Sequence, residues 1–156
     1  KPTEITLHPY YLKQYNSRWF LFGFNDNLKT ITNLALDRII DFKESNKKYI
    51  SNNEINFEEY FEDIVGVTLM ESETPKRILI EVDSSIWPYI KSKPLHGSQK
   101  MVKKDKRGVM IELFVQMNYE LITLLFSFGE GLKILEPDAL RKNIKTKAEA
   151  LFNKYL

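Results

Sequence analysis

The 156-residue chain has no cysteine, which excludes disulfides, a thiolate nucleophile and cysteine-ligated zinc or iron–sulfur centres. Its two histidines, His8 and His96, have no second metal-ligating residue at helical or turn spacing, so no metal site is expected. No apolar run reaches the roughly 18 residues that a bilayer-spanning helix needs, and no membrane partner is expected. Glycine and proline number six each, too few for collagen or low-complexity disorder. The first residues, Lys1-Pro2-Thr3-Glu4, lack the charged and apolar regions of a signal peptide, so the expected compartment is the cytoplasm. The 23 Lys and Arg nearly balance the 21 Asp and Glu, leaving a net charge of +2, too small to make the whole surface attract nucleic acid. What is present is 43% apolar and 28% charged residues, the profile of a folded protein. A chain of this length buries roughly 70% of its unfolded surface, enough for one core or two small ones.

The charge is unevenly placed. Residues 54 to 73 carry Glu54, Glu58, Glu59, Glu62, Asp63, Glu71 and Glu73 and no Lys or Arg. Residues 91 to 107 carry Lys91, Lys93, Lys100, Lys103, Lys104, Lys106 and Arg107 against Asp105 alone. Such blocks are ordinarily solvated faces, and the basic one is also a candidate patch toward phosphate or a partner.

Strand signals fill the first forty residues. Ile5 to Leu7, Tyr11 to Lys13 and Tyr15 alternate, with Pro9 confining that stretch to an edge, bulge or strand end. Asn16-Ser17 can turn a hairpin into Trp19-Phe20-Leu21-Phe22-Gly23-Phe24, a run dense enough for a strand buried on both sides. Asn25-Asp26-Asn27 is a second turn signal, and Ile31, Leu34 to Leu36, then Ile39-Ile40 and Phe42 predict a third and a fourth strand. Short strands with tight turns suggest a small, strongly bent barrel over residues 1–43.

Residues 44–73 read as a polar linker and a helix. Asn56 caps the helix with Glu59 three residues on, Phe57, Tyr60, Phe61, Ile64 and Val65 form one apolar stripe, and Gly66 ends it. From residue 74 to 156 the period alternates: a strand from Arg77 to Val82, a short helix from Ser84 to Lys91 and a hairpin from Gln99 to Lys103 and Gly108 to Val115. Asn118 then caps a helix with Leu121, Leu124, Leu125 and Phe128, closed by Gly129 and Gly131. A strand from Leu132 to Leu135 follows, and Pro137 opens a long terminal helix marked by Leu140, Ile144, Ala148, Leu151 and Tyr155. The fold class is therefore α+β, and the order β-α-β-β-α-β with a final helix is that of a ferredoxin-like domain.

Enzyme signatures are thin. Gly129-Glu130-Gly131-Leu132-Lys133 lacks the spacing of a phosphate-binding loop and carries an acid that would repel phosphate. Ser84 and Ser85 follow Asp83, but Asp-Ser before a helix is first an N-cap. No carboxylates pair in an apolar setting. No catalytic residue and no cofactor are expected, and the residues point to a binding or regulatory module. Its candidate surface is the interleaving of cations and rings at Tyr10, Tyr11, Lys13, Tyr15, Arg18, Trp19, Phe20 and Phe24. Cations there can neutralise phosphates while bases stack on rings, or the rings are simply core and the cations solvated.

The segment His8 to Phe24 with Arg18-Trp19-Phe20-Leu21, followed by Leu36-Asp37-Arg38-Ile39, resembles the WYL domain of bacterial transcriptional regulators. The helix around Phe57 to Phe61, His96-Gly97-Ser98-Gln99, Ser127-Phe128-Gly129 and Leu135-Glu136-Pro137 resemble the C-terminal extension that accompanies such domains. The resemblance implies an Sm-like or SH3-like barrel sensing a single-stranded nucleic acid or nucleotide, behind a DNA-binding winged helix-turn-helix outside this chain. The ligand residues it implies are Tyr11, Lys13, Arg18, Trp19, Phe20, Thr32 and Arg38, with Lys100, Lys103, Lys104, Lys106 and Arg107 as an outer basic patch. Phe20 stands where the family has tyrosine and Thr32 where it has arginine, so two polar contacts are missing. The alternative is a dimerisation or protein-interaction module with a vestigial pocket, and a homodimer is expected in either case.

Overall fold

Asn16 and Ser17 both adopt positive φ, 51° and 63°, making the two-residue turn that joins β1 (Leu7–Tyr15) to β2 (Arg18–Asn25). The computed structural model describes residues 2–70, 73–106 and 108–156. Asn25 shapes the next turn. Its carboxamide oxygen accepts the N–H groups of Asn27 and Leu28 at 3.0 and 3.2 Å, and Lys29, at φ 57°, returns its N–H to the Asn25 carbonyl. β3 (Thr30–Ala35) follows, giving an antiparallel sheet in the order β1-β2-β3. The β1–β2 register shifts between Pro9 and Tyr11, so Pro9 sits at an edge-strand bulge.

Two expectations fail in this first part. Residues 39–42 make no fourth strand: Leu36–Arg38 closes a 3-10 turn, Ile40 is 80% and Phe42 89% exposed, and residues 39–56 have no regular structure. Apolar residues alone do not make a strand without a ladder to join, and the backbone past the turn instead ties to β1. The Tyr49 hydroxyl donates to the Pro9 carbonyl at 2.9 Å and the Ile50 N–H donates to His8 Nδ1 at 3.0 Å. Nor is β2 buried on both sides throughout. Its second half buries Phe22 on one face and Gly23 and Asn25 on the other, but its start is open, with Arg18 exposed and Trp19 48% exposed.

The chain forms two compact units, Lys1–Glu58 and Glu59–Leu156, and helix α1 (Phe57–Glu62) spans the division. Asn56 caps α1, accepting the Glu58 N–H at 3.0 Å. The helix stops four residues before Gly66. Ile64 and Val65 are buried as expected, but from irregular backbone, and Gly66 takes φ 88°.

In the second unit β4 (Lys76–Asp83), α2 (Trp87–Ser92), β5 (Lys100–Lys104), β6 (Gly108–Val115), α3 (Tyr119–Phe126), β7 (Leu132–Glu136) and α4 (Asp138–Phe152) follow in that order. The sheet order is β5-β6-β4-β7, antiparallel throughout. α2 starts three residues later than Ser84, since Pro88 suits the first turn, and Ile86 takes the cap position without a side-chain bond. One sheet face is core: Ile80 lies in register between Ile111 and Ile134, with Ile78, Val82, Val109 and Leu113 around them, all nearly inaccessible. Ile90, Leu121, Leu125 and Leu140 bring one buried side chain or two from each of the three helices. Burying each of these contributes about 1.5–3 kcal/mol. The other face is open and laced by Arg77 to Glu112 (2.8 Å) and Glu136 (3.0 Å).

Residues 63–70 are fastened to this unit by two buried amides. Asn118, fully buried, caps α3 by accepting the Leu121 N–H at 2.9 Å and donates from Nδ2 to the carbonyls of Val65 (2.8 Å) and Thr68 (2.9 Å). Gln116 accepts the Met70 N–H and donates to the Glu73 carbonyl, while its own N–H reaches the Asp63 carbonyl at 2.7 Å. The Thr68 hydroxyl donates to Glu120 at 2.6 Å.

Candidate ligand-binding site

Side chains alternate along a strand, so the pairing of β1, β2 and β3 sorts the candidate residues by face. Tyr11 lies opposite Phe22, Lys13 opposite Phe20, and Tyr15 opposite Arg18, with Ala35 on the far side of Phe20. Tyr11, Lys13, Arg18 and Phe20 therefore share the face that holds Phe22. Trp19 pairs with Gln14, and Thr32 with Gly23, on the opposite face. The expected set is thus brought together only in part: four residues on one face, two on the other, and Arg38 in the turn that follows β3.

On the shared face Tyr11 stacks on Phe57, with ring centroids 4.8 Å apart at 11°, and Phe22 meets Phe57 edge-on at 6.0 Å. These rings form a wall, and Lys13 stands two residues along β1 from it. Burial lowers the Lys13 pKa from its ordinary value, since a half-buried ammonium has lost part of its hydration. An anion at this position would replace that hydration.

Arg18 is engaged. Its guanidinium meets the Asp37 carboxylate at 3.0 Å, which links the Arg18-Trp19-Phe20-Leu21 segment to the turn Leu36–Arg38 across the sheet. Arg38, one residue on, is exposed and forms no ion pair among the described residues. Asp37 belongs to the Leu36-Asp37-Arg38-Ile39 motif, yet nothing in the sequence marks it as the partner of a residue 19 positions earlier. On the opposite face the Thr32 hydroxyl accepts from the Asn25 carboxamide at 3.5 Å, and Trp19 presents a half-exposed ring.

The basic patch lies elsewhere, in the second unit. Lys100, Lys103 and Lys104 are exposed on β5, an edge of the four-stranded sheet, and Lys106 is exposed in the hairpin that follows. Lys103 approaches Asp105 at 3.5 Å. Arg107, and Glu71 of the acidic run, lie outside the described residues. The histidines are structural. His8 is 4% exposed between the rings of Phe24 and Tyr49, and its Nδ1 accepts a backbone N–H, which puts its proton on Nε2. His96 Nδ1 bonds Ser98, whose hydroxyl in turn accepts the Phe114 N–H at 2.9 Å and extends the β6 ladder. Among the described residues no group of three or more acids and histidines could hold a metal, and no helix is long and apolar enough to cross a membrane.

Comparison with known proteins adds two family matches. The WYL domain matches residues 1–44, and the WCX domain matches residues 74–152. No curated protein matches the chain. Among solved structures, proteasome accessory factor B/C (PafBC) of Arthrobacter aurescens is similar at a TM-score of 0.40 and 18% identity over 98% of this chain, which spans 23% of that protein.

Proposed function

Because the chain belongs to the family in which a WYL domain is joined to a WCX domain, we propose that it is the ligand-sensing, regulatory part of a bacterial transcriptional regulator. Its role is binding rather than catalysis, in the cytoplasm, and as a homodimer. The ligand is nucleic-acid-like, a single strand or a nucleotide, and a helix-turn-helix outside this chain contacts DNA. The first unit is read as an Sm-like or SH3-like barrel, supported by three antiparallel strands with tight turns. The second is read as ferredoxin-like, supported by the element order and the strand order β5-β6-β4-β7.

The observation that carries the ligand reading is the division of labour between two arginines. Arg18 is paired with Asp37 of the turn, while Arg38 is exposed and forms no ion pair among the described residues. An exposed guanidinium such as that of Arg38 can offer two parallel donors to phosphate oxygens. Lys13 supplies a second, partly dehydrated cation and Tyr11 a ring on the sheet face that Arg18 shares. Lys100, Lys103, Lys104, Lys106 and Arg107 are proposed as outer contacts to a longer strand.

The competing reading, an interaction module with a vestigial pocket, is favoured by Phe20, which has no hydroxyl, and by Thr32, whose hydroxyl already binds Asn25. Calorimetric titration of the protein with single-stranded DNA, RNA and mononucleotides separates the two. Saturable binding that weakens steeply with salt supports the sensor, whereas no heat with any of them while the protein dimerises supports the vestigial pocket.

A further inference from the structure

Helix α3 turns Leu121 and Leu125 into the core, and its opposite side carries Tyr119, Thr123 and Phe126 at i, i+4 and i+7. α4 runs alongside but buries only Leu140, near its start; Ile144 is half-buried, and every residue from Lys145 onward is exposed. Between the two helices lies a groove of about 310 Å³ lined by Tyr119, Thr123, Phe126 and Leu151 and flanked by Lys147 and Lys154. Tyr119 is 70% and Leu151 45% exposed. An uncovered apolar strip bordered by charge is how an interaction surface presents itself.

The charges select the occupant. Arg141 is held by Asp138 at 2.7 Å and Lys145 by Glu149 at 3.6 Å, both on α4 itself. Lys147 and Lys154, the two cations at the groove, form no ion pair among the described residues, and no carboxylate lines it. We infer that this groove is a docking site for an amphipathic helix of another polypeptide whose apolar stripe is flanked by acids. Lys147 lies on α4 and Lys154 two residues past its end, and both line the groove. A partner helix with an acid on each side of its apolar stripe, spaced about two turns apart at i and i+7, can meet both cations while its apolar residues at i+3 and i+4 face Tyr119, Phe126 and Leu151. A second copy is disfavoured by the same charges, because a two-fold contact would set four lysines around one seam. This site is separate from the ligand reading of the first unit and does not depend on it.

The test is fluorescence anisotropy with a labelled helical peptide of about 16 residues, carrying Glu at i and i+7 and Leu at i+3 and i+4. The wild-type protein binds it saturably. The double variant Lys147→Glu/Lys154→Glu binds it about tenfold or more weakly and prefers a peptide with Lys in place of both Glu, since close interfacial charge pairs carry coupling of that order. Leu151→Ser also weakens binding, and circular dichroism shows all variants folded, as these side chains are exposed and Leu140 is untouched. Failure of the wild type to bind, unchanged binding by the charge-reversed protein, or self-association that Leu151→Ser abolishes would each overturn the assignment, the last in favour of a second copy. Binding to phosphatidylglycerol vesicles but not to the peptide would overturn it in favour of a lipid surface.

Discussion

Asn118 performs two tasks with one amide, and substitution can separate them. Its Oδ1 caps α3 through the Leu121 N–H, and its Nδ2 holds the Val65 and Thr68 carbonyls, all within 2.9 Å and at a fully buried side chain. Losing an N-cap costs about 1 kcal/mol. Each buried carbonyl left without a donor adds roughly 1–3 kcal/mol, the Thr68 carbonyl less because it is only partly buried. Asn118→Ala should therefore destabilise the second unit by about 3–5 kcal/mol, a large share of the 5–15 kcal/mol typical of a domain. Asn118→Asp is the sharper variant. It keeps the cap oxygen but aims a carboxylate at two carbonyls, so it should be at least as damaging as Asn118→Ala. Urea unfolding followed by far-UV circular dichroism measures both. Asn118→Asp with wild-type stability would show that the clamp on residues 65–68 contributes nothing and that only the cap matters.

Gly66→Ala should destabilise as well, since φ is 88° there and an added Cβ would lie 2.6 Å from Glu120 Cγ; the companion Gly97→Ala, with open space around it, should melt like wild type in the same thermal scan. Hydrogen bonds from the Lys29 and Lys47 ammoniums, then their charges, lower the Asp26 pKa from 3.8 to about 2. A depressed carboxylate pKa gives stability that is present above the unfolded value and is lost as pH falls through the folded one, so the Asp26 contribution should disappear between about pH 4 and pH 2. Asp26→Asn should melt lower than wild type at pH 6, with the gap closing by pH 2; a gap that persists at pH 2 would assign the effect to something other than these ion pairs.

Local chemistry was readable where one or two residues decide the geometry. Asn16-Ser17 and Asn25-Asp26-Asn27 are turns because those residue types accept left-handed backbone or bond their own N–H groups, and Asn56 and Asn118 cap helices because their side chains reach free N–H groups. The hairpin of β5 and β6 and the strand from Arg77 follow from period-2 alternation. Where tertiary context decides, the pattern misleads. Ile39, Ile40 and Phe42 look like a strand, but the chain past Arg38 binds β1 through Tyr49 and Ile50 instead. The stripe Ala148, Leu151 and Tyr155 looks like core, yet all three residues are exposed. For the candidate site, alternation alone puts Arg18 and Phe20 on one face and Trp19 on the other, so the three cannot grip one ligand from a single side. The Arg18–Asp37 pair was beyond reach, since no local rule links residues that far apart.

The most direct test of the ligand-sensing proposal is anisotropy of a labelled single-stranded oligonucleotide titrated with wild type, Arg38→Ala and Arg18→Ala across a salt series. Arg38→Ala should weaken binding about tenfold or more and reduce the log–log salt slope by about one unit, as loss of one charge-assisted phosphate contact requires. Arg18→Ala should weaken binding while lowering stability little, because the pair it makes with Asp37 is exposed. Identical affinity and slope for folded Arg38→Ala, or no binding by wild type, would contradict the account.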